Sequence, residues 1–184
     1  MQVIDTPIEG LKIIEPELFG DPRGYFFESY NYSKYIQAGI TAEFIQDNES
    51  LSQYGVLRGL HYQAGEFAQA KLVRVLAGAV WDVTVDIRKN SPTFGKYFAL
   101  ELSGENKRQL FIPRGFAHGF AVLSSSAVFA YKCDNIYNPM AERGIRFDDP
   151  ALNINWQISP QEWILSEKDT RLPGWAAVEP WSEK

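Results

Sequence analysis

One cysteine, two histidines and no surplus of basic residues set the first limits on this chain of 184 residues. The lone thiol, Cys133, has no partner for an internal disulfide and points to a reducing, cytoplasmic setting. Two imidazoles, His61 and His118, with one distant thiol are too few ligands for a conventional zinc, iron or manganese site. Chemistry without a metal is therefore expected, with a site built from both histidines and carboxylates as the minor alternative. Asp and Glu number 23 against 18 Lys and Arg, a net charge of −5, which argues against a nucleic-acid partner. A local cluster of cations would still suffice for one small anion. No apolar run reaches membrane-spanning length, and the opening MQVIDTPIEG lacks the basic start and apolar stretch of a signal peptide, so no membrane partner is expected. Without repeats, low-complexity tracts or linkers, the chain reads as one domain over residues 1–184.

What is present is apolar and aromatic. A hydrophobic fraction of 45% is ordinary for a globular protein and excludes a disordered chain. Aromatics at 14% suit a β-rich core, or a pocket that stacks flat ligands. From Val80 to Ile87 the chain alternates, with Trp81, Val83, Val85 and Ile87 on one face and Asp82, Thr84, Asp86 and Arg88 on the other. That is the pattern of a strand with one buried and one solvated face. Further strands are expected at 71–76, 97–102, 109–112, 119–123 and 127–132, punctuated by Ala77-Gly78, Asn90-Ser91-Pro92 and Ser103-Gly104-Glu105-Asn106. Helical signal is thin: residues 32–38 between the cap Asn31 and the stop Gly39, and residues 161–165 after Ser159-Pro160. The fold class is mainly β, an antiparallel sandwich or barrel with a few short helices.

The two histidines lie in distinctive surroundings, Gly55-Val56-Leu57-Arg58-Gly59-Leu60-His61-Tyr62-Gln63 and Pro113-Arg114-Gly115-Phe116-Ala117-His118. Histidine changes charge near neutral pH and is the natural general base. Pro-x-Gly-x-x-His ahead of a strand is similar to the second motif of the cupin jelly roll. Where metal cupins carry His-x-His, this chain has His61-Tyr62-Gln63. More specifically, Asp21-Pro22-Arg23-Gly24-Tyr25-Phe26, Gln46-Asp47-Asn48, residues 56–63, residues 71–75, residues 112–120, Tyr131-Lys132 and Asp148-Asp149-Pro150 stand in the order and spacing of one family. The chain resembles the dTDP-4-dehydrorhamnose 3,5-epimerases, from near its N-terminus to about Trp175.

That resemblance implies inversion at C3 and C5 of dTDP-4-dehydro-6-deoxy-D-glucose. The C4 ketone acidifies both neighbouring C–H bonds, so the reaction needs a base, an acid on the opposite face and a cation or donor at the enolate oxygen. By resemblance His61 is the base, Asp169 the carboxylate that orients it, Tyr131 the acid and Lys71 the cation. Lys71 shares parity with Val73 and Val75, which suggests an inward position. Arg23 and Arg58 match diphosphate or sugar contacts, for which the planar guanidinium is suited. Glu28, Gln46, Asp47 and Asn48 match nucleotide contacts, Tyr137 the thymine stack, and His118, Glu142 and Lys168 further substrate contacts. Strict alternation places Arg58 and His61 on opposite faces, so a bulge at Gly59 is expected to re-aim one of them. The partner implied is a second copy, a homodimer with exchanged N-terminal strands that bring residues near Arg23 and Glu28 to the neighbour's pocket. Inversion at one carbon only, a ketoisomerase and a non-catalytic sugar-nucleotide binder remain as rival readings.

Overall fold

The computed structural model describes residues 1–182. Strands β1 (Gln2–Asp5) and β2 (Lys12–Glu15) lead into a small hairpin, β3 (Phe19–Asp21) and β4 (Gly24–Phe26), and then helix α1 (Tyr32–Gln37). Eight further strands follow: β5 (Gln46–Gln53), β6 (Leu57–Gln63), β7 (Lys71–Ala77), β8 (Ala79–Asp86), β9 (Tyr97–Ser103), β10 (Gln109–Ile112), β11 (Phe116–Val122) and β12 (Ser126–Cys133). Strand β13 (Glu142–Gly144) and the short helix α2 (Glu167–Thr170) complete the regular elements.

The strands form two antiparallel sheets, ordered β1-β2-β10-β7-β12-β5 and β13-β6-β11-β8-β9. Short turns carry the chain between sheets: Gly78, at φ 78°, takes it from β7 to β8, where only a residue tolerant of positive φ fits. This is the cupin jelly roll, mainly β. Val73, Val75, Leu110, Ile112 and Phe129 of the first sheet pack on Val80, Leu100, Leu102, Phe116 and Phe120 of the second. Each such side chain contributes about 1.5–3 kcal/mol relative to leaving it in water.

Both sheets are also covered on their outer faces. Tyr35 and Ile40, from and just beyond α1, pack with Ile14, Leu72 and Phe111 on the first sheet. The C-terminal segment lays Ile145, Phe147, Leu152, Trp156 and Ile158 on Leu57, Val83, Val85, Ala117 and Ala121 of the second. This corrects the reading of Val80–Ile87 as half-solvated. The apolar row faces the C-terminal segment, and the polar row faces the interior between the sheets, leaving Asp82, Thr84 and Asp86 without exposure. Asp86 is satisfied there by Arg88, Ser91 and Thr93.

Helix α1 forms where it was expected, with the Asn31 side chain accepting from Lys34 N and Gly39 at φ 79° after its end. The helix expected at 161–165 does not form. Pro160–Glu162 make one 3-10 turn, and Ile164 then runs extended, its N–H donating to Gly55 O and its carbonyl accepting from Leu57 N. Sheet-edge hydrogen bonding wins there over a Pro-initiated helix.

Candidate active site

A cavity of about 570 Å³, within the usual range for small-molecule sites, opens between the sheets. Alternation on each strand decides what enters it. On β12, Phe129 and Tyr131 point inward; on β7, Lys71 does; on β5, Asn48 and Ser50 do. The facing sheet supplies His61 from β6 and His118 from β11, whose Cα atoms pair directly across the two strands. Val56, Phe120, Ile164 and Leu165 give the cavity an apolar portion. A smaller cleft of about 250 Å³ shares Asn48, His61, Lys71 and Tyr131 and runs out to Gln46, Tyr137 and Glu142.

The geometry at His61 depends on a bulge. Along β6 and β11, His118 pairs with His61 and Phe120 with Arg58, so three steps on β6 span two on β11. The extra residue turns Arg58 onto the same cavity as His61, resolving the conflict that strict alternation posed. Glycine is required at this point: Gly59 has φ 130°, and a Cβ there would lie 2.6 Å from Gly119 Cα. Arg58 Nε donates to Ser52 Oγ at 3.1 Å, which leaves the rest of the guanidinium free for a ligand.

His61 Nε2 lies 2.6 Å from Asp169 Oδ1. Asp169 comes from α2, whose N-cap Ser166 accepts from Asp169 N and donates to Asp169 Oδ2 at 2.7 Å. Burial on its own would raise the Asp169 carboxyl, but hydrogen bonds from His61 and Ser166 outweigh it and hold the group below the ordinary aspartate range. With Nε2 committed to the carboxylate, Nδ1 is the nitrogen free to take a proton.

Across the cavity, burial raises the Tyr131 phenol above the usual tyrosine value, so it keeps its proton through the neutral range. Lys71 Nζ stands 5.9 Å from the Tyr131 ring centre. Burial pulls its ammonium below the ordinary lysine value, opposed by Cys133, Asp82 and Glu142. The His61–Asp169 pair and the Tyr131 phenol thus stand on opposite sheets, with the Lys71 cation beside the phenol. Such an arrangement removes a proton from one face of a bound carbon acid and returns one to the other.

Five of the remaining expected residues form one connected chain. Gln46 Nε2 donates to Asn48 Oδ1, Tyr137 N to Gln46 Oε1, Tyr137 Oη to Glu142 Oε2 at 2.8 Å, and Lys168 Nζ pairs with Glu142 Oε1 at 2.5 Å. Burial would raise Glu142, but Lys168 and Tyr137 together bring it below its ordinary value. Tyr137 is 50% exposed, leaving a ring face open to a flat ligand.

The structure does not bring every expected residue to the cavity. Asp47 alternates away from Gln46 and Asn48 to the outer face, where it binds Lys132 Nζ at 2.8 Å. Arg23, with its side chain 90% exposed on the β3–β4 hairpin, pairs with Asp21. Glu28 binds Lys34 and Asn31 beside α1. Sequence reasoning missed Asp82, which lies 2.8 Å from His118 Nε2. The signal that finds it is the closed barrel itself, because a strand buried on both faces turns its polar row inward. Among the described residues, no three His, Cys, Asp or Glu side chains cluster as metal ligands.

Comparison with known proteins places this geometry. The family profile described as dTDP-4-dehydrorhamnose 3,5-epimerase matches residues 5–177. The dTDP-4-dehydrorhamnose 3,5-epimerase of Shigella flexneri is 56% identical over 170 residues, 92% of this chain and 93% of that one. The crystal structure of the dTDP-6-deoxy-D-glucose-3,5-epimerase of Legionella pneumophila, in complex with dTDP-4-keto-L-rhamnose, superposes with a TM-score of 0.94 at 51% identity, covering 100% of this chain and 99% of that one. A 3'-monoepimerase of Streptomyces bikiniensis, in complex with dTDP-quinovose, is more distant, at 33% identity and a TM-score of 0.86 over 93% of this chain and 86% of that one.

Proposed function

The chain belongs to the dTDP-4-dehydrorhamnose 3,5-epimerase family, and from that premise we propose how its cavity carries out the reaction. It is an isomerase that inverts C3 and C5 of dTDP-4-dehydro-6-deoxy-D-glucose to give dTDP-4-dehydro-L-rhamnose. His61 Nδ1 takes the proton from the carbon next to the C4 ketone, and Asp169 carries the resulting imidazolium through its bond to Nε2. The electron pair left on carbon delocalises onto the ketone oxygen, where the Lys71 ammonium meets the developing charge. Tyr131 then gives its phenolic proton to the opposite face of the same carbon. Each inversion leaves His61 with one proton more and Tyr131 with one fewer, and exchange with water resets both before the second carbon reacts.

The observation that carries this reading is the placement of the His61–Asp169 pair and Tyr131 on facing sheets of one cavity. Arg58 is assigned to the diphosphate, His118 to the sugar, and the linked Asn48, Gln46, Tyr137, Glu142 and Lys168 to the nucleotide end. No cofactor enters any step, and residues 1–184 act as one domain. Turnover in deuterated water, followed by proton NMR, tests the reaction. Deuterium at C3 and C5 of the L-lyxo product is expected; label at only one carbon would make the enzyme a mono-epimerase instead.

We further propose that the working form is a cytoplasmic homodimer. The hairpin exposes Phe19, Tyr25 and Phe26, and Arg23 and Glu28 sit away from their own cavity, as residues serving a neighbour's site would. Sedimentation equilibrium should return twice the monomer mass, and a monomer that is fully active would overturn the arrangement.

A further inference from the structure

Beside the cavity stands a second imidazole–carboxylate pair, whose carboxylate has no part in the mechanism above. His118 Nε2 lies 2.8 Å from Asp82 Oδ2. His118 is 8% exposed and Asp82 is fully buried. The two pairs are alike in their bonding atoms, since both histidines meet their carboxylate through Nε2 and the histidines face each other across β6 and β11. They differ in how the carboxylate is satisfied. The second oxygen of Asp169 accepts from Ser166, whereas Asp82 Oδ1 has no hydrogen-bond partner, and neither has Thr84 Oγ1 on the same inward row. An incompletely satisfied buried carboxylate is costly, and its cross-strand neighbours Phe120 and Leu100, with Val80 on its own row, belong to an apolar core that would accept an apolar side chain. Packing therefore does not account for Asp82. What remains is its effect on its cavity-lining neighbours.

We propose that Asp82 is a positioning residue for the epimerisation: it accepts from His118 Nε2–H, fixes that ring between itself and Phe129 with Nδ1 left for the sugar, and sets a buried negative charge opposite Lys71. The Phe129 ring stacks against the imidazole at 5.9 Å between centroids, so the ring is held on its face as well as at its edge. Lys71 lines the same cavity from the facing sheet. Burial favours loss of the Lys71 proton, and Asp82, after Cys133, is among the groups that oppose it. Removing the charge therefore weakens two cavity groups without touching the substrate. The inference rests on the reading of this cavity as the epimerase site.

The test compares the full-length protein with its Asp82→Asn variant, using dTDP-4-dehydro-6-deoxy-D-glucose in deuterated water and long-range proton–nitrogen NMR of the histidines. Only two imidazoles contribute, so a His61→Gln sample assigns them. The variant is expected to lose more than about tenfold in kcat while KM moves less than about threefold, the mark of an interaction acting on the chemical step. His118 should also change the nitrogen that carries its proton, because an amide in place of the carboxylate offers it a donor. A kcat within about twofold of the parent's, or a loss confined to KM, overturns the proposal. Should the variant fail to fold, the parent spectrum decides: a proton on His118 Nε2 supports the assignment, and a bare Nε2 refutes it. A parent that binds substrate yet exchanges neither C3 nor C5 overturns the epimerase reading itself, a separate outcome visible before any variant is made.

Discussion

Replacing His61 by Gln and by Ala separates the chemistry of this histidine from its structural role. The Gln side chain places its amide nitrogen where Nε2 stands, so the bond to Asp169, 2.6 Å in the parent, can be kept while the basic Nδ1 is lost. Loss of a general base lowers the rate about 10²–10⁴-fold, or about 2.7–5.4 kcal/mol of barrier. The Ala variant loses the same chemistry and also strips a hydrogen bond from Asp169, which is 2% exposed. Leaving a buried carboxylate one partner short costs about 1–3 kcal/mol, and at about 2–4 °C per kcal/mol for a chain of this size the melting temperature falls by about 2–12 °C. Deuterium exchange at C3 and C5 reads the first effect and thermal unfolding the second. Both variants should lose exchange at C3 and C5 alike, and only the Ala variant should melt early. Exchange by the Gln variant at the parent's rate would refute the assignment of His61 as base.

Tyr131→Phe should slow net inversion more than proton removal, so substrate recovered from deuterated water would carry label without inversion; inversion of both centres at the parent's rate would reject Tyr131 as acid. Because burial lowers Lys71, the alkaline limb of kcat/KM should fall below the ordinary lysine value of 10.5. In that window the unfolded chain holds a proton that the folded one has released, so stability should rise with pH while activity falls; a limb at or above 10.5 contradicts the buried cation. Burial, outweighing the nearby Lys71, raises the Cys133 thiol to about 11, so iodoacetamide at pH 8 should label the native protein far more slowly than the unfolded one; equal rates would refute it.

Strand alternation in the sequence located most of the barrel, and the parity of Lys71 with Val73 and Val75 placed the lysine inside. What alternation could not say is which of two buried faces is which. By alternation alone Asp82 and Thr84 belong to a solvated face, because a single strand carries no sign that a second sheet will close over its polar row. The Arg58–His61 conflict was visible as a conflict, and Gly59 pointed to its resolution. The pairing of His61 with Asp169 was legible only through family likeness. The two are 108 residues apart, and nothing local to Ser166–Thr170 announces that its aspartate will meet a histidine. The failed helix at 161–165 has a similar cause: Ile164 finds its hydrogen bonds on Gly55 and Leu57, far away in sequence.

The C-terminal segment that covers the second sheet also delivers the carboxylate, so the His61–Asp169 pair is complete only while that covering is seated. Local openings of native proteins cost less than global unfolding. Lifting the stretch from Ile145 to Thr170 would part His61 from Asp169 and leave the strands paired. The enzyme therefore carries its own early warning. On heating, turnover should fade at a lower temperature than the β-sheet signal, and a protease that nicks this segment would silence the protein before it unfolds.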